Sequence, residues 1–153
     1  MKKKYYRIYA KKLSENGSIA YEEKASKQDL ILFKERIDAN KEKCVNFLKQ
    51  EKEKGKVIHV YGASTKGNVI LQYFGITTEL VDYAAERSPD KFGRYTVGTW
   101  IPIISEEESR KMNPDYYLVL PWAFFDEMYE RESEWRSQGG IFLVPFPDFR
   151  IVE

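Results

Sequence analysis

Residues 57–76 read VIHVYGASTKGNVILQYFGI. The first five form an apolar run that suits a buried strand. Two glycines and two hydroxyls follow within GASTKG. Apolar residues then recur at helical spacing, and Gly75 stands where a helix would stop. A strand, a glycine-bearing turn and a helix make half of a βαβ unit. The turn between them is a common seat for an anion, because a helix start presents free N–H groups.

The flanking sequence extends the same alternation. Strands are predicted at Glu79–Asp82, from Ile101 (IPII), at Tyr116–Leu120 and at Ile141–Val144, with a short edge strand at Phe149–Val152. Helices are predicted at Lys66–Phe74, Glu106–Met112 and Phe124–Gln138. VIHVY, YYLVL and IFLV are almost unbroken apolar runs, as in a parallel sheet covered on both faces. The expected architecture is therefore an α/β, Rossmann-like three-layer fold with a mostly parallel sheet in the order 3-2-1-4-5. Upstream, Asp29–Lys54 has the spacing of a long helix, with Leu30, Phe33, Ile37, Cys44 and Phe47 on one stripe. Ser26 and Asp29 form a candidate capping box, and Gly55 a stop. YYRIYA, SENGS and SIAYEEK read as strand, turn and strand, so residues 1–28 are expected to be a strand arm and 29–153 the domain.

All parallel strands end on one edge of a sheet, and ligands bind in the crevice there. GASTKG, AAERSPDKFG, PWAFF and PFPDF all follow strands, so topology brings them to one rim. The loop's N–H groups from Ser64 to Asn68 are expected to face an anion, with Gly62 making the turn and Gly67 admitting the helix close to the sheet. Ser64 and Thr65 add hydroxyls and Lys66 a charge. The alternative is a tight βα turn with no ligand. A phosphate loop of the GK[ST] type is excluded, since Asn68 follows Gly67. So is the three-glycine dinucleotide fingerprint. Asp82, with Glu86 beyond, stands where a ribose acid would be. Arg87, Lys91 and Arg94 cluster in ERSPDKFGRY, either as a mobile basic loop that closes on phosphate or as a solvated turn. Trp122 is placed to stack on a base or sugar, or to pack beneath the loop. Trp100 and Trp135 read as packing residues, and His59 as a core histidine.

Composition narrows the function. The formal net charge of +1 lacks the basic excess of a nucleic-acid binder. One cysteine and one histidine cannot assemble a zinc site. Cys44, on the helix stripe, is expected to be buried. No apolar run reaches the roughly 20 residues that span a bilayer, and Met1 is followed by charge rather than a leader. The expectation is a cytoplasmic protein without nucleic-acid or membrane partners.

Four ordered segments carry a resemblance: YGASTKGNVILQYFGI (61–76), AERSPDKFGRYTVGTWIPI (85–103), PDYYLVLPWAFFDEM (114–128) and GGIFLVPFPDF (139–149). Together they resemble the C-terminal domain of the sugar C-methyltransferases, enzymes that use S-adenosylmethionine to methylate carbon of nucleotide-linked keto-deoxysugars. Glu86, Ser88, Val97 and Ala123 depart from that pattern, which usually has Asp, Asn, Pro and Asn there. The resemblance implies a substrate-binding set of Gly62, Ala63, Ser64, Thr65, Lys66, Gly67, Asn68, Glu86, Arg87, Lys91 and Trp122. It implies no catalytic residue in this chain, because complete members resemble three modules. A cysteine-rich zinc module and a methyl-donor domain precede this one, and the donor domain carries the proton-abstracting residues. It therefore implies a nucleotide-diphosphate sugar as ligand, no cofactor held by the domain itself, S-adenosylmethionine on a partner domain or chain, and a possible methyltransferase partner chain. Two rival readings stay open: an interaction module with a relic site, and a small independent enzyme that binds adenosylmethionine or a dinucleotide.

Overall fold

The computed structural model describes residues 26–153, so the expected strands and turn of the N-terminal arm lie outside the described residues. Contacts divide the chain into two units, Met1–Lys34 and Glu35–Glu153. Helix α1 (Lys27–Glu53) begins in the first and runs through the second. Its start carries the expected box: the Asp29 N–H donates to Ser26 Oγ at 3.1 Å, and the Ser26 N–H donates to Asp29 Oδ2 at 2.9 Å. Leu30 and Phe33, expected on the buried stripe, are exposed. The buried face is Asn40, Cys44, Leu48 and Glu51, one helical turn apart. Gly55, at φ 78°, ends the helical segment.

In the second unit, β1 (Ile58–Tyr61), β2 (Tyr83–Glu86), β3 (Ile103–Ser105), β4 (Tyr116–Val119) and β5 (Ile141–Val144) run parallel, and β6 (Arg150–Val152) is antiparallel. The order is β3-β2-β1-β4-β5-β6, the expected series with an added edge. Successive residues of β1 point to opposite faces. Ile58 and Val60 pack with α1 and with α2 (Thr65–Phe74), while Tyr61 packs with α4 (Phe125–Arg131) and α5 (Ser133–Ser137). His59 meets α3 (Glu106–Lys111) on that second face, where its Nδ1 lies 2.8 Å from Ser109 Oγ. It is a wholly buried core histidine, as expected. Cys44 is also wholly buried, and desolvation pushes its thiol up to about 12. Among the described residues no helix is long and apolar enough to cross a membrane.

Three boundaries differ from the sequence expectation. The second strand lies at Tyr83–Glu86, not Glu79–Asp82. Leu80 and Val81 are buried, but their N–H groups bond Thr77 O at 3.0 and 3.1 Å, closing a turn. Core packing rather than sheet pairing made those residues apolar. Ile101 and Pro102 precede β3 and form a hairpin with the chain before them: Ile103 N–H bonds Arg94 O at 2.8 Å and Thr96 N–H bonds Ile101 O at 2.9 Å. The hairpin's turn leaves Trp100 at φ 57° and 71% exposed, while Trp135 is buried in the core. The long helix expected at Phe124–Gln138 is interrupted at Glu132, whose carboxylate turns inward to Arg110 and Tyr61.

Helix α3 shows how local sequence starts an element. Ser105 Oγ accepts from the Glu108 N–H at 3.1 Å, and Glu108 Oε2 accepts from the Ser105 N–H at 2.9 Å. The reciprocal pair satisfies two helix-end donors. Ser105→Ala is expected to cost about 1 kcal/mol in urea unfolding. A loss below a few tenths would mean that β3 and the sheet, not the box, set where α3 begins.

Candidate functional site

The C-terminal ends of β1, β2 and β4 meet at the expected rim. Gly62 turns the chain out of β1 at φ 83°, and a Cβ there would lie 2.7 Å from Pro121 Cγ. Gly67 sits against the end of β4, where a Cβ would lie 2.5 Å from Leu120 Cδ1 and 2.9 Å from Ser64 Oγ. The glycines therefore bring α2 and the post-β4 segment together, which no larger residue permits without a shift.

Ser64 is extended (φ −87°, ψ 155°) and caps α2. Its Oγ accepts from the Gly67 N–H at 3.0 Å, its carbonyl from the Asn68 N–H at 3.0 Å, and its own N–H donates to Gly62 O at 2.8 Å. Of the five N–H groups expected to face a ligand, those of Ser64, Gly67 and Asn68 are thus used within the turn. Those of Thr65 and Lys66 have no partner among the described residues. The seat is narrower than the sequence predicts, because the serine that was to help hold an anion is also the helix cap. Asn68 Oδ1 is buried without a partner among the described residues.

Charge distinguishes this helix start. The first turns of α3 and α4 carry Glu106, Glu107 and Glu108, and Asp126 and Glu127; that of α2 has no acid. The α2 dipole is therefore not offset by its own carboxylates. The ammonium of Lys66 is exposed and in no ion pair among the described residues. Arg87 and Lys91 differ from it. Lys91 Nζ donates to Ala63 O at 3.0 Å and to Glu86 Oε2 at 2.9 Å, tying the β2 loop to the turn. Arg87 Nη1 lies 3.8 Å from Glu127 Oε1. Glu86 also accepts the Arg87 and Ser88 N–H groups at 2.9 and 3.1 Å. Burial opposes its ionisation, but Lys91 and these two amides outweigh it and hold the carboxyl below its usual range. The ERSPDKFGRY segment is thus anchored at Ala63, at Glu86 and along its hairpin.

Glu86 is the acid at the rim end of β2. Asp82, placed there by the sequence reading, precedes the strand and lies at the opposite end of the sheet. Its carboxylate accepts Lys52 Nζ at 2.8 Å and the Ile58 N–H at 3.0 Å. The four-residue slip of the strand is the whole cause.

Two hollows flank the turn. One, about 270 Å³, is walled by Ser64, Thr65, Lys66, Leu120, Pro121, Trp122, Ala123 and Phe124. Trp122 is half-buried at the start of a short 3-10 turn (Trp122–Phe124), and its ring lies 5.3 Å from that of Phe146. It both packs and lines the hollow, so the two sequence alternatives are not exclusive. Phe146 brings in the fourth rim segment, which α1 holds through Asn40: Nδ2 donates to Pro147 O at 2.6 Å. The other hollow, about 280 Å³, is lined by Tyr61, Glu86, Arg87, Lys91, Glu106, Glu127 and Arg131 among others. Arg131 ties its far wall, 3.1 Å from Glu106, 3.4 Å from Glu127 and 2.8 Å from Tyr61 Oη. Sequence reasoning missed Tyr61, Glu106, Glu127, Arg131 and Phe124. The four-residue spacing of Glu127 and Arg131 marked a paired helix face, but nothing in the sequence aimed that face at the rim.

The model of the C-methyltransferase C-terminal domain matches residues 11–147. A C-methyltransferase from Streptomyces niveus, NovU, is 36% identical over 98 residues, 64% of this chain and 23% of that protein. The match thus spans about a quarter of the length of that relative. On the strength of the family match over most of its length, this chain belongs to the C-methyltransferase C-terminal domain family.

Proposed function

We propose that this domain binds a nucleoside-diphosphate sugar and presents it to a methyl-donor domain on a separate methyltransferase chain. The observation that carries the reading is the uncompensated start of α2. The Thr65 and Lys66 N–H groups and the Lys66 ammonium, without partners among the described residues, border a hollow of about 270 Å³ walled by Trp122. The diphosphate sits on the Thr65 and Lys66 amides, with Ser64 and Thr65 hydroxyls beside it. Lys91 and Arg87 stand over the neighbouring hollow and share their carboxylate partners with sugar hydroxyls. The domain contributes binding and orientation, which lower a barrier without a reactive group of its own. S-adenosylmethionine and the base that abstracts the proton belong to the partner. His59, the single histidine, is wholly buried, which supports placing the base elsewhere. The setting of this reading is cytoplasmic synthesis of deoxysugars or surface polysaccharide.

Isothermal titration with uridine, thymidine, guanosine and cytidine diphosphosugars tests it. At least one is expected to bind, more weakly as salt is raised. Lys66→Ala is expected to lose about 1.5 kcal/mol, roughly tenfold in affinity. Absence of binding by every diphosphosugar, or an affinity indifferent to Lys66, overturns the reading. Binding of adenosylmethionine alone would favour an independent enzyme.

A further inference from the structure

The two hollows share a ridge. Ser64, Pro121 and Phe124 line both, and Thr65 and Lys66 line one of them only. Each hollow, at about 270 and 280 Å³, has room for a ring system but not for a whole nucleotide sugar. Their walls differ in chemistry. On the amide side they are Leu120, Pro121, Trp122 and Phe124, all apolar, and among the described residues no carboxylate lines that hollow. On the other side stand Glu86, Glu106 and Glu127 with Arg87, Lys91 and Arg131.

We infer that the hollows divide the ligand: the nucleobase lies against Trp122 and Phe124, and the sugar lies in the charged hollow across the ridge. The inference rests on the nucleotide-sugar reading above. A planar base has two apolar faces and stacks on aromatic side chains whatever its identity. Phe124 is 57% exposed at the lip, an aromatic face left in water two residues after Trp122 packs against the core. A sugar needs the opposite surroundings. Each hydroxyl both donates and accepts, so it is met best by carboxylates and cations side by side. In the charged hollow those groups already stand paired, Lys91 with Glu86 at 2.9 Å and Arg131 with Glu106 at 3.1 Å. A hydroxyl inserts between such partners without adding charge. A phosphate there would have to displace carboxylates already paired with Arg87, Lys91 and Arg131, which leaves the anion to the α2 side. The ridge then lies under the diphosphate, which joins the two rings.

The experiment is titration of uridine, thymidine, guanosine and cytidine diphosphates, each with and without an attached hexose, against wild type and three variants. Wild type sets the increment due to the sugar. Phe124→Ala is expected to weaken the free diphosphate and its hexose conjugate by the same factor, about tenfold. Glu127→Ala, an exposed position whose loss the fold tolerates, is expected to leave the free diphosphate within twofold and to weaken the conjugate threefold or more. Melting temperatures verify that the variants are folded, and Phe124→Leu is expected to recover part of the loss. A Glu127→Ala effect equal on both ligands, or a Phe124→Ala effect confined to the conjugate, overturns the division while leaving nucleotide-sugar binding standing. Wild type that binds neither ligand overturns the underlying reading, and the division with it.

Discussion

Glu132→Ala is expected to destabilise the protein by about 3 kcal/mol, the low end of the cost of breaking a buried ion pair. The carboxylate is 1% exposed and holds three groups together. Tyr61 Oη donates to its Oε1 at 2.5 Å. Arg110 grips it with two bonds, Nε at 2.7 Å and Nη2 at 2.6 Å. Arg131 Nε lies at 3.7 Å. Burial disfavours its charge, but Arg110 and the Tyr61 hydroxyl outweigh that and hold the group below the usual carboxylate range. Removing it leaves the buried Tyr61 O–H without its acceptor and leaves Arg110 and Arg131 with Glu106 as their remaining shared carboxylate. Both arginines are partly exposed, 38% and 27%, so water recovers some of the loss, and the low end applies. For a chain of 153 residues this is a fall in Tm of roughly 6–12 °C. Urea unfolding measures it, and a change under about 1 kcal/mol would mean that the existing Glu106 pairs and water replace Glu132 at no cost. Glu132→Gln, which keeps the volume but can accept only on one side, is expected to fall between the two.

The second large effect is a loss of stability between pH 6.5 and 4 that belongs to His59. Burial pulls its pKa down to about 4 from 6.5, with Asp82 opposing and Lys52 adding to the shift. The folded protein therefore takes up the proton later than the unfolded chain does. Between those two values acidification favours the unfolded state, and stability falls as pH falls. A shift of about 2.5 pH units corresponds to a cumulative loss of about 3 kcal/mol, complete near pH 4. Glu86, Asp115 and Glu132 have lowered values instead. Their stabilisation is present above the ordinary carboxylate range and is lost only as pH falls below it, so the upper part of the window is left to the histidine. His59→Leu is expected to flatten that part of the profile, at some cost at pH 8 from the lost Ser109 bond. Unfolding free energies of both proteins at a series of pH values decide it; parallel curves from 6.5 to 5 would remove His59 as the cause.

Both effects concern residues on the face of β1 turned towards α3, α4 and α5, and that face was only half legible. His59 read as a core residue because it sits inside an apolar run. Tyr61 read only as the end of that run. Its bond to Glu132 joins positions far apart in sequence, and in sequence Glu132 is one more acid in a charged helix. Strand order was legible because continuous apolar runs alternate with helical patterns, and the right-handed crossover leaves few arrangements. The position of β2 was not, since Leu80 and Val81 are apolar for core packing and periodicity does not distinguish the two causes.

At the rim, the turn's chemistry was carried by its own residues. Gly62, Ser64, Lys66 and Gly67 are neighbours, and their local conformations follow from glycine's freedom, serine's capping and the helix start. Which amides stay open, and which cations stay unpaired, was decided by groups arriving from elsewhere. Glu86 takes Lys91, Glu127 approaches Arg87, and nothing takes Lys66 among the described residues. Local backbone geometry depends on adjacent residues and can be read in order along the chain. Charge compensation depends on distance through space, which only the packed helices establish.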